Sequence, residues 1–200
     1  MRIILASSNK GKIAEFKAYL SGYEVLSYSE VMEPFEIEEY GKSFKENAII
    51  KSRAVFDKLN DKNAIVLSDD SGISVPLLGG IPGIYSARFA GKEANAKKNL
   101  ELLIQKLKDA GVERAKAFYT AAIALSTSEG DFSVHGWMYG EAVTNPKGSN
   151  GFGYDPMFIP KGFDKTLGEL EASVKEQFSH RARALKLALI LLKTLTKDRK

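Results

Sequence analysis

The order of apolar and polar positions divides this chain into short buried strands and longer amphipathic helices. Ile3, Ile4, Leu5 and Ala6 form an unbroken apolar run, the pattern of a strand covered on both faces. A polar turn from Ser7 to Gly11 follows. Ile13, Phe16, Ala18 and Leu20 then recur at helical spacing, which predicts a helix with those four side chains inside. Ser43 and Glu46 have the S-x-x-E capping-box pattern, and Phe44, Ala48, Ile49, Val55, Phe56 and Leu59 continue at helical period after it. Ala64 to Leu67 reads as a second buried strand, which would deliver Ser68-Asp69-Asp70-Ser71-Gly72 to a sheet edge.

Further along, Pro76 to Pro82 is loop-like, and Leu100, Leu103, Ile104 and Leu107 mark a helix from about Glu93 to Ala110 that Gly111 closes. Lys116 to Leu125 and Phe132 to Tyr139 are rich in β-forming residues and flank a Ser128-Glu129-Gly130-Asp131 turn, so they read as an antiparallel hairpin. The sheet is therefore expected to be mixed. Lys147 to Asp155 is a loop containing Gly148, Gly151 and Gly153; Met157 to Ile159 is a short strand, and Ser179 to Thr194 is a last helix with Leu185, Leu189 and Leu192 on one side. Neither an internal repeat nor a linker interrupts the pattern, so residues 1–200 are expected to form one domain.

Composition narrows the function classes. With 44% apolar and 27% charged residues in 200, the chain can build a well-packed core. It contains no cysteine, which excludes a disulfide framework, a thiolate metal site and a cysteine nucleophile, and fits a reducing, cytoplasmic setting. The opening apolar run is too short for a signal-peptide core. Ala184 to Leu192 is interrupted by Lys186 and is far shorter than the roughly 20 residues of a bilayer span, so no membrane segment is expected. The formal net charge of +4 is unevenly spread: Lys/Arg residues dominate from Lys175 onward, while acids dominate from Glu30 to Glu46.

Four polar clusters could carry chemistry. Ser7, Ser8, Asn9, Lys10, Gly11 and Lys12 lie between a strand and a helix N-terminus, where backbone N–H groups and the helix dipole favour an anion such as phosphate. The alternative is a turn with solvated lysines, since the segment matches neither the P-loop nor the dinucleotide fingerprint. Asp69 and Asp70, with Glu36, Glu38 and Glu39 from the acidic loop, offer the one or two carboxylates by which magnesium is usually held alongside substrate phosphates; turn caps and solvated charge are the other reading. In the glycine-rich loop, Phe152 and Tyr154 either project to stack on a base or tuck into the core. Ser179 suits a helix N-cap, which leaves His180 and Arg181 to be explained; His135, in a strand, is read as structural.

Taken in order, SSNKGK, EEYGKSFKENAIIK, SDDSG, PGIYSAR, GFGYDP and SHR resemble the signature series of the inosine triphosphate pyrophosphatase family, over nearly the whole chain. The resemblance implies an α/β fold with a long mixed β-sheet flanked by helices, in two lobes with a central cleft. It implies a homodimer that hydrolyses ITP, dITP and XTP with Mg2+, clearing deaminated purines from the nucleotide pool, without a nucleic-acid or membrane partner. By motif, Asp70 would activate water, and Glu38 with Asp70 would hold the metal. Ser7, Ser8, Asn9, Lys10, Gly11, Lys12 and Lys51 would hold phosphates, and Ser71 would touch substrate. Phe152, Gly153, Tyr154 and Asp155 would grip the base, with Lys175, His180 and Arg181 completing the pocket. Within the acidic loop, Glu36, Glu38 and Glu39 lie so close that a shift of one position changes the ligand. The GFGYDP and SHR elements separate the chain from the related septum-formation-inhibitor pyrophosphatases, which prefer pyrimidine or modified nucleotides.

Overall fold

Six strands hydrogen-bond in one sheet in a computed structural model that describes residues 2–91 and 95–197. They are β1 (Arg2–Leu5), β2 (Glu24–Ser27), β3 (Val66–Ser74), β4 (Arg114–Thr127), β5 (Gly130–Val143) and β6 (Phe158–Pro160), in the order β2-β1-β3-β4-β5-β6. β1 pairs in parallel with both β2 and β3, whereas β5 and β6 are antiparallel, so the sheet is mixed as expected. The described helices are α1 (Lys10–Tyr19), α2 (Phe44–Leu59), α3 (Ala96–Asp109), α4 (Ala172–Phe178) and α5 (His180–Leu195). The chain divides into two compact units, one of residues 1–70, 121–136 and 181–200, the other of residues 71–120 and 137–180.

In the first unit the strands are sandwiched, which is why they read as continuous apolar runs. Side chains alternate along a strand. Accordingly Ile3, Leu5, Ile65, Leu67, Ala121, Ile123 and Leu125 pack against Phe16 and Leu20 of the α1 region and against Ala184, Leu185, Ala188 and Leu192 of α5. The intervening residues turn the other way: Ile4, Ala6 and Val66 pack with Val55 of α2, and Ala122 and Ala124 with its Ala48. In the second unit, Leu103 and Leu107 of α3 cover Ile73, Ala115, Ala117, Tyr119, Met138 and Ala142. The alternate positions Lys116, Trp137 and Tyr139 are exposed, so this stretch of sheet keeps the in-out alternation that β1, β3 and the end of β4 lose in the first unit.

Several local expectations change in the structure. Ala18 is exposed, because α1 buries only Phe16 fully and its outer turn points to solvent. The capping box at α2 is half formed: Ser43 Oγ accepts the Glu46 N–H at 3.2 Å, but the Glu46 carboxylate reaches past Ser43 to the Lys42 N–H at 2.6 Å. Complete boxes form instead at Ser27/Glu30 and Thr166/Glu169. The third helix is described from Ala96, capped by Asn95, and the predicted start at Glu93 lies outside the described residues. It ends as expected at Gly111, where the Gly111 and Val112 N–H groups return to the Lys108 and Leu107 carbonyls. The strand expected at Met157–Ile159 is shifted one residue, and α4 was not expected as an element separate from the last helix.

The most consequential difference is β3. It does not stop before the polar cluster but continues through Ser68-Asp69-Asp70-Ser71-Gly72 to Ser74, with both aspartates buried. A strand can carry such charges inside only where other segments supply the compensating cations.

Candidate active site

The first unit gathers those cations around the two aspartates. The turn after β1 is shaped by its own side chains: Ser7 Oγ accepts the Asn9 N–H, and Asn9 Oδ1 caps α1 by accepting the Lys12 N–H at 3.1 Å. Lys10 is left exposed, while Lys12 turns inward and places its ammonium 2.6 Å from Asp69 Oδ2. Arg181, at the start of α5, reaches the same oxygen at 3.4 Å through Nη2 and grips Glu15 at 2.6 Å through Nη1. The Asp69 side chain is 1% exposed and that of Arg181 3%, so this is a buried charge network. Burial opposes ionisation of Asp69, yet Arg181 and Lys12 outweigh it and hold the carboxyl well below the usual carboxylate range. Burial dominates at Lys12 and lowers its ammonium, a poise suited to a group that gains from an incoming phosphate.

Asp70 faces a separate partner. Lys51, on α2, lies 2.8 Å from Asp70 Oδ1 and 3.3 Å from Glu39 Oε1. Burial works against the Lys51 charge, but these two acids prevail and raise its pKa. At Asp70 the balance reverses: burial pushes the carboxyl up, and Lys51 only partly offsets it. Asp70 Oδ2 is buried and, among the described residues, has no hydrogen-bond partner. An orphaned carboxylate oxygen is costly unless something positive or protic meets it. Of the three acids in the 36–39 loop, the structure brings Glu39 to Lys51 beside Asp70, while Glu36 and Glu38 are exposed. Among the described residues no group of three or more metal-type side chains gathers. That donor set suits magnesium, which takes one or two carboxylates and completes its shell with phosphate oxygens and water, and it does not suit an all-protein cage.

The second unit assembles the glycine-rich loop. Phe152 is 47% exposed, whereas Tyr154 is 5% exposed, so the two aromatics divide between the two readings: one projects and the other enters the core. Tyr154 donates its hydroxyl to the Ser86 carbonyl at 2.8 Å, and burial raises its pKa. Asp155 holds the loop closed. Its Oδ2 accepts the Phe152 N–H at 2.9 Å and pairs with Lys175, whose ammonium lies 4.9 Å from the centre of the Phe152 ring. Gly151 has φ +75° and sits so close over Asp155 that any Cβ would overlap its Oδ2, so both the conformation and the space require glycine there. The Tyr119 hydroxyl lies 3.5 Å from Asp155 Oδ1, and its ring stacks on His180 with centroids 4.7 Å apart and planes at 13°.

Chain neighbours thus serve different units: His180 packs on Tyr119, and Arg181 joins Asp69 and Glu15. Ser179 is buried beside them, and Ser71 follows Asp70 in β3 partly exposed. His135, read as structural, is half-buried, with its pKa lowered by burial and by Lys45. Sequence reading named Asp69 only as a candidate metal carboxylate and gave no role to Glu15, Tyr119 or Ser86. The pairing of Asp69 with Lys12 and Arg181 is not signalled by the strand, and Glu15 and Tyr119 occupy ordinary positions in a helix and a strand.

Lysines and an arginine gathered over buried aspartates beside the N-terminus of α1 make a site of the class that suits phosphorylated ligands. The Ham1 family model matches residues 3–190, and the chain belongs to the Ham1 family. It is similar to the dITP/XTP pyrophosphatase of Nautilia profundicola, 60% identical over 195 residues that cover 98% of this chain and 99% of the relative. The dITP/XTP pyrophosphatase of Sulfurimonas denitrificans is 55% identical over 199 residues, covering 98% and 100%. Among solved structures, the Ham1 protein of Staphylococcus aureus matches with a TM-score of 0.86 and 39% identity, over 97% of this chain and 99% of that one. The HAM1 protein of Coxiella burnetii matches with 0.87 and 35%, again over 97% and 99%.

Proposed function

We propose that this protein hydrolyses non-canonical purine nucleoside triphosphates, ITP, dITP and XTP, to the monophosphate and pyrophosphate, and so removes deaminated purines from the nucleotide pool. Full-length likeness to dITP/XTP pyrophosphatases supports the reaction. The observation that carries the site assignment is the buried Asp70, with one oxygen on Lys51 and the other without a partner among the described residues. Residues 1–200 act in this reading as one catalytic domain, in a cytoplasmic homodimer that needs neither nucleic acid nor membrane. No described helix is long and apolar enough to cross a bilayer.

The chemistry follows from charge and position. Ser7, Ser8, Asn9, Lys10, Gly11 and Lys12 hold phosphate oxygens at the N-terminus of α1, and Lys12 and Lys51 offset the charge that collects on the departing pyrophosphate. Asp70 accepts the proton of the water that attacks the α-phosphorus, and Ser71 contacts the substrate beside it. Mg2+, when bound by Asp70 and an acid of the 36–39 loop, supplies further neutralisation of phosphate charge. Positioning and electrostatics account for most of the acceleration in such a displacement.

The glycine-rich loop takes the base. Phe152 stacks on it, Gly153 leaves space for it to approach, and Asp155 keeps Lys175 beside the ring as a donor. Hypoxanthine and xanthine offer a 6-oxo acceptor and a ring N–H, whereas adenine offers the reverse, and a mismatch leaves buried polar groups unsatisfied. Tyr154 and His180 support this loop from buried positions, and Arg181 serves the substrate through its pairing with Asp69 and Glu15. Phe152→Ala is expected to raise the KM for XTP about 5- to 100-fold through lost stacking, with kcat changed far less; steady-state kinetics on the two proteins check it.

The reaction itself is tested by pyrophosphate release from ITP, dITP, XTP, ATP, GTP and dTTP, with magnesium and with chelator. Metal-dependent release from the first three, with little from the rest, is expected; turnover confined to dTTP would overturn the substrate assignment. The same assay settles the metal acid. Because Glu39 shares Lys51 with Asp70, Glu39→Gln is expected to raise the magnesium concentration needed for half-maximal rate about tenfold or more, and Glu38→Gln to leave it near wild type. The opposite ranking would return the role to Glu38.

A further inference from the structure

We propose that Ser86, in the otherwise unassigned PGIYSAR segment, is a positioning residue that fixes the base-gripping loop to the strand carrying Ser71. It lies in the short 3-10 helix Gly83–Arg88 and is 6% exposed. Its hydroxyl accepts the Ile73 N–H at 3.0 Å and donates to the Gly83 carbonyl at 2.6 Å, which anchors β3 two residues beyond Ser71. Its own carbonyl accepts the Tyr154 hydroxyl at 2.8 Å. Tyr154 sits between Gly153 and Asp155, two residues from Phe152. One small residue therefore touches both the segment that follows the attacking centre and the loop that presents the stacking ring.

The packing leaves no slack. A Cβ on Gly72 would overlap Ser86 Oγ and would come within 2.6 Å of the Gly83 carbonyl, so the glycine of SDDSG and the serine of PGIYSAR are fitted to each other. The Tyr154 ring is locked in the same core as Ile73 and Met157, and only its hydroxyl reaches Ser86. Removing that hydroxyl frees a buried carbonyl and lets the loop drift without emptying the core. Small displacements at a reacting site are expensive, so the link sets how well one ligand can satisfy Ser71 and Phe152 together.

This inference rests on the proposed placement of substrate at Ser71 and Phe152, and the test separates the two. Wild type, Tyr154→Phe, Ser86→Ala and the double variant are compared for kcat and KM on XTP, ITP and GTP, with Tm recorded for each. Tyr154→Phe is expected to raise the KM for XTP about tenfold and to narrow the preference for XTP over GTP, with Tm lowered by no more than a few degrees. Ser86→Ala is expected to do the same, and the double variant to fall short of the product of the two. Lowered Tm with unchanged KM and unchanged preference would make Ser86 and Tyr154 structural only and overturn the proposal. Absence of XTP turnover in the wild type would instead overturn the functional reading beneath it.

Discussion

Asp70→Asn is expected to lower kcat for XTP by about 10²–10⁴-fold, the usual contribution of a positioned general base. The variant should keep its fold. Burial already disfavours the Asp70 charge, and Lys51 retains Glu39 as a partner at 3.3 Å, so replacing the carboxylate with an isosteric amide strands no cation. Single-turnover pyrophosphate release, alongside a thermal melt, separates lost chemistry from lost structure. A correctly melting variant with near wild-type turnover would take the base role away from Asp70. Loss of activity together with a collapsed melt would mean that the carboxylate is structural.

Its neighbour should behave in the opposite way. Asp69→Ala leaves Lys12 and Arg181 facing a gap in a site where the arginine side chain is 3% exposed. Breaking one side of a buried ion pair costs about 3–5 kcal/mol, which in a chain of this size corresponds to a Tm lower by roughly 6–20 °C. The pH dependence has a definite sign. Asp69 is ionised far below the ordinary range, so its contribution is complete above the unfolded-state pKa of about 3.9 and is lost as pH falls through the lower folded value. The gap between wild type and variant should therefore be full at neutral pH and narrow below about pH 4. Equal melting temperatures at neutral pH would contradict the network, and a constant gap in acid would contradict its ionic origin.

These two aspartates, adjacent in one strand, divide the work because their surroundings differ. Lys12 of α1 and Arg181 of α5 hold the charge of Asp69 against burial, whereas at Asp70 burial prevails over Lys51.

Much of this was legible in the chain. The apolar runs at Ile3–Ala6 and Ala64–Leu67, the capped helix after Ser43, the hairpin around Ser128 and the closing glycine at Gly111 are all local signals, and local physics produced those elements. Two features of the polar segments are local as well: Ser7 to Lys12 opens a helix, and Phe152 projects from its loop.

Only tertiary structure decided the rest. The extension of β3 through two buried aspartates depends on Lys12 and Arg181, 57 and 112 residues away from Asp69, and no pattern within the strand announces them. The same holds for Glu39 rather than Glu38 beside Asp70, for Tyr154 turning inward while Phe152 turns out, and for Ser86 bridging β3 and the loop. Hydrophobic period and turn chemistry are properties of a few consecutive residues, so a sequence can state them directly. Charge compensation and close packing are properties of residues that meet only once the chain has folded, and there the sequence named the participants without naming the pairs.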